Sequence, residues 1–191
     1  YIITAYQPTV QGATYQFDDQ SSKYYHYYIP QSLENVTVMG DIGKNAFYNC
    51  TNIKSVTLTG SVTKIGESAF YNTPNIKSIT VPSSVTVVGY AATGGNSTWY
   101  CEAAIKPQDW YSPYNNNNAW NFYNATVVWG CTLSADKTYV VSISKTSGVT
   151  SLHNPYRAGY TFSGWATEEN GEPVSTTPTG KPLYAVWTKQ N

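Results

Sequence analysis

The sequence has little charge and no long hydrophobic run. Lysine and arginine number 11, aspartate and glutamate number 11, and charged residues make up only 12% of the 191 positions. A basic cluster, which nucleic-acid binding requires, is missing, so nucleic acid is excluded as a partner. No stretch of about 18 apolar residues occurs, so we expect no membrane-spanning segment. The 41% hydrophobic content is still sufficient for a packed core.

Cysteine and histidine are also scarce. The three cysteines, Cys50, Cys101 and Cys131, are too widely spaced for a disulfide framework or a paired zinc site, although one disulfide between Cys101 and Cys131 is permitted. His26 and His153 stand at no metal-ligand spacing from each other or from a cysteine. We therefore expect no zinc site and no catalytic histidine.

Other catalytic patterns are missing as well. The string GESAF around Ser68 lacks the second glycine of a nucleophile elbow, and the carboxylates lie in polar, turn-like stretches rather than in a glycosidase pair. The sequence predicts no catalytic residue, no cofactor and no metal. A weak calcium site at Asp18 and Asp19 is the one alternative that stays open.

In place of charge the chain uses hydroxyl, amide and aromatic side chains, with 18 tyrosines and 6 tryptophans. This composition is typical of an extended β-rich surface on a secreted protein. Because the first residue is Tyr1, we expect a mature form or an excised fragment without a signal peptide.

The sequence repeats itself at a fixed interval of about 23 residues, a period typical of solenoids. IGKNAFYNC begins at Ile42, IGESAFYNT begins at Ile65, and a fainter copy, VGYAATG, begins at Val88. The words LENVTV, IKSVTL and IKSITV keep step with these copies, although the first interval is three residues shorter. A fixed period of this length predicts a stack of similar coils.

Each strand word alternates apolar and polar residues, which is the pattern of a strand with one buried face. We expect the apolar pairs to face the core of a parallel sheet: Val36/Val38, Val56/Leu58 and Ile79/Val81. The polar positions should then face solvent: Asn35, Ser55, Ser78, Thr37, Thr57 and Thr80. In the turn that follows, Ile65, Ala69 and Phe70 should point to the core, and Gly66 should relieve crowding.

The string IGxxAFYNCxNIKSVTL resembles the leucine-rich repeat of the Bacteroides surface protein A type, over about residues 29–88. That family consists of coils of roughly 23 residues, so the resemblance implies a solenoid. YYIPQSLENVTV resembles the re-entry into such arrays, and TWYCEAAIKPQDW resembles the segment that closes them. The implied organisation is an insertion or truncated array edge at 1–28 and a solenoid at 29–130, with an aromatic C-terminal cap from Trp99 to Trp129.

The last part of the chain, 131–191, has a different pattern. Its words GYTF at Gly159, GW at Gly164 and LYAVW at Leu183 resemble the Listeria-Bacteroides repeat, which occurs as the internalin B-repeat. The resemblance implies a small β-rich, β-grasp-like domain whose aromatic residues form its core. The predicted fold class is therefore mainly β: a short parallel solenoid followed by this domain.

Two groups of aromatic residues are the candidate ligand-binding side chains. They are Tyr24, Tyr25, Tyr27 and Tyr28 near the entry to the repeats, and Trp110, Tyr111, Tyr114 and Trp120 around an asparagine run. Flat rings beside amides suit sugars or protein partners. The alternative interpretation is that these rings cover the open ends of the solenoid.

Both resemblances imply a non-catalytic adhesion or interaction protein, secreted or at the cell surface. We expect a monomer that contacts a host extracellular protein or glycan. The alternative is a glycan-binding module of a larger extracellular carbohydrate-active protein. An enzymatic function lacks any convergent set of acid, base and nucleophile.

Overall fold

The computed structural model describes residues 10–18, 23–93, 95–107, 110, 125–144, 152–175 and 180–191, with side chains from residue 29 onward. These residues form strands, turns and loops, and no helix occurs among them. The mainly β fold predicted from the sequence is confirmed. The strands are β1 (Val10–Asp18), β2 (Lys23–Pro30), β3 (Asn35–Val38), β4 (Ser55–Leu58), β5 (Lys64–Ile65), β6 (Ser78–Val81), β7 (Val87–Val88), β8 (Thr98–Cys101), β9 (Thr126–Val128), β10 (Cys131–Leu133), β11 (Val140–Ile143), β12 (Tyr160–Ala166) and β13 (Leu183–Lys189).

The strands β3, β4, β6, β8 and β9 form one parallel sheet in that order. Val36 pairs with Val56, Val56 with Ile79, Ile79 with Trp99, and Trp99 with Val127. The sequence separation between paired residues is shorter for Val36 and Val56 than for Val56 and Ile79, and it is longest for Trp99 and Val127. The parallel solenoid is confirmed, together with its shorter first interval.

A second ladder joins neighbouring coils outside this sheet. The short strands β5 and β7 pair in parallel, with Ile65 opposite Val88, and an isolated bridge joins Ile42 to Ile65. Further along the turn, the Phe70 amide donates to the Ala92 carbonyl at 2.7 Å. The faint copy that begins at Val88 is therefore a true coil of the solenoid.

The turns of the coils use left-handed backbone at repeated positions. Asn45, Ser68 and Ala91, which occupy the same position in three successive coils, have φ of 57°, 52° and 46°, and Asn49 and Asn72 have φ of 60° and 56°. Residues with a side chain are uncommon in this region, and asparagine tolerates it best. The asparagine that ends each AFYN word therefore suits the left-handed backbone conformation that the turn requires.

Gly66 and Gly89 stand where neighbouring coils come closest. A Cβ atom on Gly66 would lie 2.5 Å from the backbone carbon of Gly43, and one on Gly89 would lie 2.4 Å from the backbone nitrogen of Glu67. The expected role of Gly66, relief of crowding at the turn, is confirmed. The crowding comes from the backbone of the preceding coil.

The inward residues of the coils share one core. Ile65, Ala69 and Phe70 are at most 1% exposed, as expected from the repeat. The Phe47 ring stacks on Phe70 with 5.3 Å between centroids, and Trp99 meets Phe70 edge-on at 6.5 Å. Trp99 was expected to open the cap, but it lies in β8 and is fully buried. The first part of the predicted cap therefore continues the sheet, and its aromatic ring extends the core.

Two antiparallel units accompany the solenoid. β1 pairs with β2 within the stretch assigned to an insertion or array edge. β10, β11, β13 and β12 form a four-stranded antiparallel sheet in that order. Its core includes Val140, Ile143, Trp165 and Leu183. A smaller strand-rich region therefore follows the solenoid, whereas its β-grasp-like character stays a prediction.

Candidate functional site

The outward face of the parallel sheet is only partly open to solvent. On β3, Asn35 and Thr37 are exposed. On the next two strands, Ser55, Ser78 and Thr80 are only 3%, 6% and 5% exposed. The expectation that the polar positions of the strands face solvent is therefore wrong for these three residues.

The C-terminal sheet packs against this face at β8. Tyr100 stands directly opposite Thr80 in the ladder, and its ring lies 6.3 Å from that of Trp165 in the C-terminal core. The Tyr100 hydroxyl donates to the His153 carbonyl, and the His153 amide donates to the Thr98 hydroxyl at 2.9 Å. This part of the sheet is an internal contact and does not offer a free binding surface.

An ionic contact joins the same two parts of the chain. Lys137, between β10 and β11, places its Nζ 2.6 Å from Oε1 of Glu102, whose Oε2 accepts from the amide and hydroxyl of Ser83 at 2.9 and 2.8 Å. Burial alone would raise the pKa of Glu102, but the hydrogen bonds from Lys137 and Ser83 outweigh it. The pKa of Glu102 therefore lies below its ordinary value of 4.5.

This pKa shift predicts a pH-dependent contribution to stability. A lowered pKa in the folded state stabilises the fold above the unfolded-state pKa, and the contribution is lost as pH falls through the folded-state value. We expect Glu102→Gln to cost about 1 kcal/mol near pH 7, because the pair is partly solvated. The cost should shrink towards zero at pH values well below 4.5.

Urea denaturation of both proteins at several pH values measures this difference. Glu67→Gln is the matched control, because the Lys44–Glu67 pair has side chains that are 57% and 43% exposed and should contribute little at any pH. A cost of Glu102→Gln that stays constant across the pH range would show that the ion pair does not stabilise the fold.

The turns of the first two complete copies present an open surface on the solenoid. Tyr48 and Tyr71 directly follow Phe47 and Phe70 in sequence. They are only partly buried, and their rings stack with 5.4 Å between centroids and 9° between planes. Beside them the Asn72 amide donates to the Asn49 side-chain oxygen at 2.9 Å, and both asparagines are exposed. We call these four residues the tyrosine–asparagine surface.

The charged side chains of these turns, Lys44 and Glu67, cancel each other. Lys44 and Glu67 occupy the same position of successive copies and pair with 2.8 Å between Nζ and Oε1. The tyrosine–asparagine surface can therefore offer ring edges, phenol hydroxyls and amides, but no net charge that would attract an ion. The sequence carries the signal for it: the word AFYN recurs at the same place in both copies, so the outward residues of one turn must stack on those of the next.

The structure describes only one of the eight predicted aromatic side chains. Trp110 is 0% exposed, packs against Trp129 with 5.3 Å between centroids, and donates from Nε1 to the Val85 carbonyl at 3.2 Å. It belongs to the solenoid core, so its predicted exposure is wrong. The other seven predictions lie outside the described side chains: Tyr24, Tyr25, Tyr27, Tyr28, Tyr111, Tyr114 and Trp120.

The three cysteines are free and buried. Burial raises the pKa of Cys50 and of Cys131 to about 12, and burial together with Cys131 raises that of Cys101. The disulfide that the spacing permits is not formed, although Cys131 lies close enough to Cys101 to help raise the pKa of its thiol. All three are protonated thiols at neutral pH and so are poor nucleophiles.

The described residues contain no group of three or more histidine, cysteine or carboxylate side chains that could hold a metal ion. His153 makes its contacts to Thr98 and Tyr100 through its backbone. The side chains of His26, Asp18 and Asp19 lie outside the described residues. None of the described residues belongs to a helix capable of crossing a bilayer.

The family comparison agrees with the coil geometry. Residues 16–98 match the family model described as BspA type leucine rich repeat region (6 copies). The repeat region is BspA-like. The BspA-like match begins within β1 and ends at the first residue of β8, so β9 and the C-terminal sheet lie outside it. No curated protein and no solved structure gives a significant match to the chain.

Proposed function

We propose that the chain is a non-catalytic bacterial adhesion or interaction protein, which presents its solenoid to host extracellular proteins or to other cells. The observation that carries this proposal is the tyrosine–asparagine surface on BspA-like repeats. Tyrosine is among the residues enriched in the hot spots of protein interfaces. Because the rings are already stacked, little side-chain entropy is lost when a partner binds.

We further propose that the protein acts outside the cell, secreted or at the cell surface, as a monomer. The association of BspA-type repeats with bacterial surface proteins supports this location. The low charge and the many hydroxyl and amide side chains are consistent with it.

For the strand-rich region 131–191 we propose a Listeria-Bacteroides repeat. Its supporting observation is that the residues YTF of GYTF and the string LYAVW lie in the neighbouring antiparallel strands β12 and β13, where Phe162 stands opposite Trp187. Trp165 and Leu183 are buried in the same core. Phe162 packs against this core, which is consistent with the role that the resemblance implies for it.

The experiment that tests the proposed function is binding of the purified chain to an array of extracellular-matrix proteins, mucins and glycans. We expect saturable binding to at least one protein, weakened about tenfold or more in Tyr48→Ser/Tyr71→Ser because hot-spot truncations cost about 2 kcal/mol or more. Tyr90→Ser is the matched control, since Tyr90 is 40% exposed in the next copy. Absence of binding to every protein, or equal binding by both variants, would count against the proposal.

A further inference from the structure

The guanidinium group of Arg157, in the loop that precedes β12, lies against two tyrosine rings. The Cζ atom of Arg157 is 4.0 Å from the ring centroid of Tyr139 and 3.6 Å from that of Tyr160. Both distances lie well within the range of cation–π attraction. Tyr139 directly precedes β11 and Tyr160 is the first residue of β12, so two separate strands position the rings.

One of the two rings that contact Arg157, that of Tyr139, is itself held by neighbouring aromatic residues. Tyr139 meets Trp187 edge-on with 6.1 Å between centroids, and Trp187 meets Phe162 at 5.4 Å. The Trp187 indole also donates to the Val140 carbonyl at 3.2 Å. The Tyr139 ring therefore has a set position before any ligand arrives, which lowers the entropy cost of binding.

The hydrogen-bond donors of Arg157 have no acceptor among the described residues. The ion pairs in the described part of the chain are Lys44–Glu67, Lys54–Glu34 and Lys137–Glu102, and none of them includes Arg157. The two rings contact the guanidinium as cation–π partners, so its N–H groups remain available to an acceptor from a partner. A planar fork in this arrangement matches the two oxygens of a carboxylate.

A second cation, Lys189, is paired with Tyr160 across the sheet. Lys189 on β13 is directly opposite Tyr160 on β12, and it is exposed. Directly opposed residues of antiparallel strands project from the same face of a sheet. The described residues provide no ion-pair partner for Lys189 either. We call Arg157, Tyr139, Tyr160 and Lys189 the arginine site.

We propose that the arginine site binds a carboxylate side chain in an acidic segment of a partner protein. The two cations supply the charge complementarity, and Arg157 supplies two parallel hydrogen bonds to one carboxylate. A protein is the favoured occupant because arginine and tyrosine in a partly buried cluster are the residues of protein hot spots. The inference rests on the proposed function, since it states the chemistry of one contact with the partner.

Calorimetric titration of the full chain with a short polyglutamate peptide at low ionic strength tests the arginine site. We expect binding that weakens about tenfold or more in Arg157→Gln, because hydrogen bonds to charged groups are lost. Arg157→Lys keeps the charge between the rings and loses the fork, so an intermediate loss is expected. Lys77→Gln, which removes one exposed charge from the solenoid, should bind as the unaltered chain does.

Polygalacturonate and heparin, titrated in parallel, distinguish the sources of an anionic group. Tighter binding of either polysaccharide than of the peptide would overturn the choice of a protein occupant. Equal losses in Arg157→Gln and Lys77→Gln would show attraction by overall charge only and would overturn the site, as would no peptide binding. If the peptide fails while the chain still binds a protein on the array, the arginine site alone is wrong. If the array shows no protein partner, the proposed function is wrong.

Discussion

Replacing Gly89 by alanine should lower the free energy of unfolding by about 1–3 kcal/mol or more, the cost of forcing atoms into a well-packed site. The added Cβ would lie 2.4 Å from the Glu67 nitrogen and 2.8 Å from the Gly66 carbonyl carbon. These are backbone atoms, which cannot move aside as a flexible side chain can. The coils must separate, and the hydrogen bond from the Gly89 amide to the Ile65 carbonyl should weaken.

Urea denaturation of Gly89→Ala beside Gly40→Ala measures this effect. A Cβ on Gly40 would meet no atom within 4 Å, so its replacement should be neutral or slightly stabilising through the unfolded state. Equal stabilities of the two variants would mean that the coils do not approach as closely as the structure shows.

Trp110→Ala should cost about 3–5 kcal/mol, the range for removal of a large buried aromatic side chain. The indole is 0% exposed, packs against Trp129, and donates to the Val85 carbonyl, so truncation leaves both a cavity and an unpaired carbonyl. In a small solenoid that is a large part of the total stability. Thermal and urea unfolding check the expected loss.

Ile105→Ala is the matched control for Trp110→Ala. Ile105 lies shortly before Trp110 in sequence and is 78% exposed, so its truncation should change stability by less than about 0.5 kcal/mol. A Trp110→Ala protein that keeps its stability but no longer retains glycans would contradict the buried position. It would restore the alternative interpretation as a glycan-binding module.

Repetition made the solenoid predictable. The alternation in NVTV, SVTL and SITV predicted which side chains face the core, and Val56, Leu58, Ile79 and Val81 are at most 2% exposed. The fixed spacing of the copies predicted which residues lie side by side, because each coil must stack on the one before it. Even the crowding at Gly66 could be inferred from the repeated IG word. These features depend on residues that are close in sequence or related by one fixed interval.

The candidate surfaces were less predictable. The alternation of Ser78 and Thr80 predicted that they face solvent, but Tyr100 and the C-terminal sheet pack beside them. The polar neighbours of Trp110 predicted an exposed ring, although its indole enters the core. Arg157 gave no signal at all, because its two tyrosines lie at unrelated distances on either side of it in sequence. In each case the residue that contacts the side chain lies at a sequence separation that no repeat specifies.

The sequence by itself determined the coil, its parallel sheet, its inward residues and the outward stack of Tyr48 and Tyr71, because a period defines both neighbours and faces. Only the tertiary structure decided which outward faces remain free. It buried Ser78 and Thr80, left Cys101 and Cys131 as free thiols, and placed Arg157 against two tyrosine rings. Those outcomes depend on contacts between parts of the chain that share no pattern, and such contacts exist only once both parts have folded.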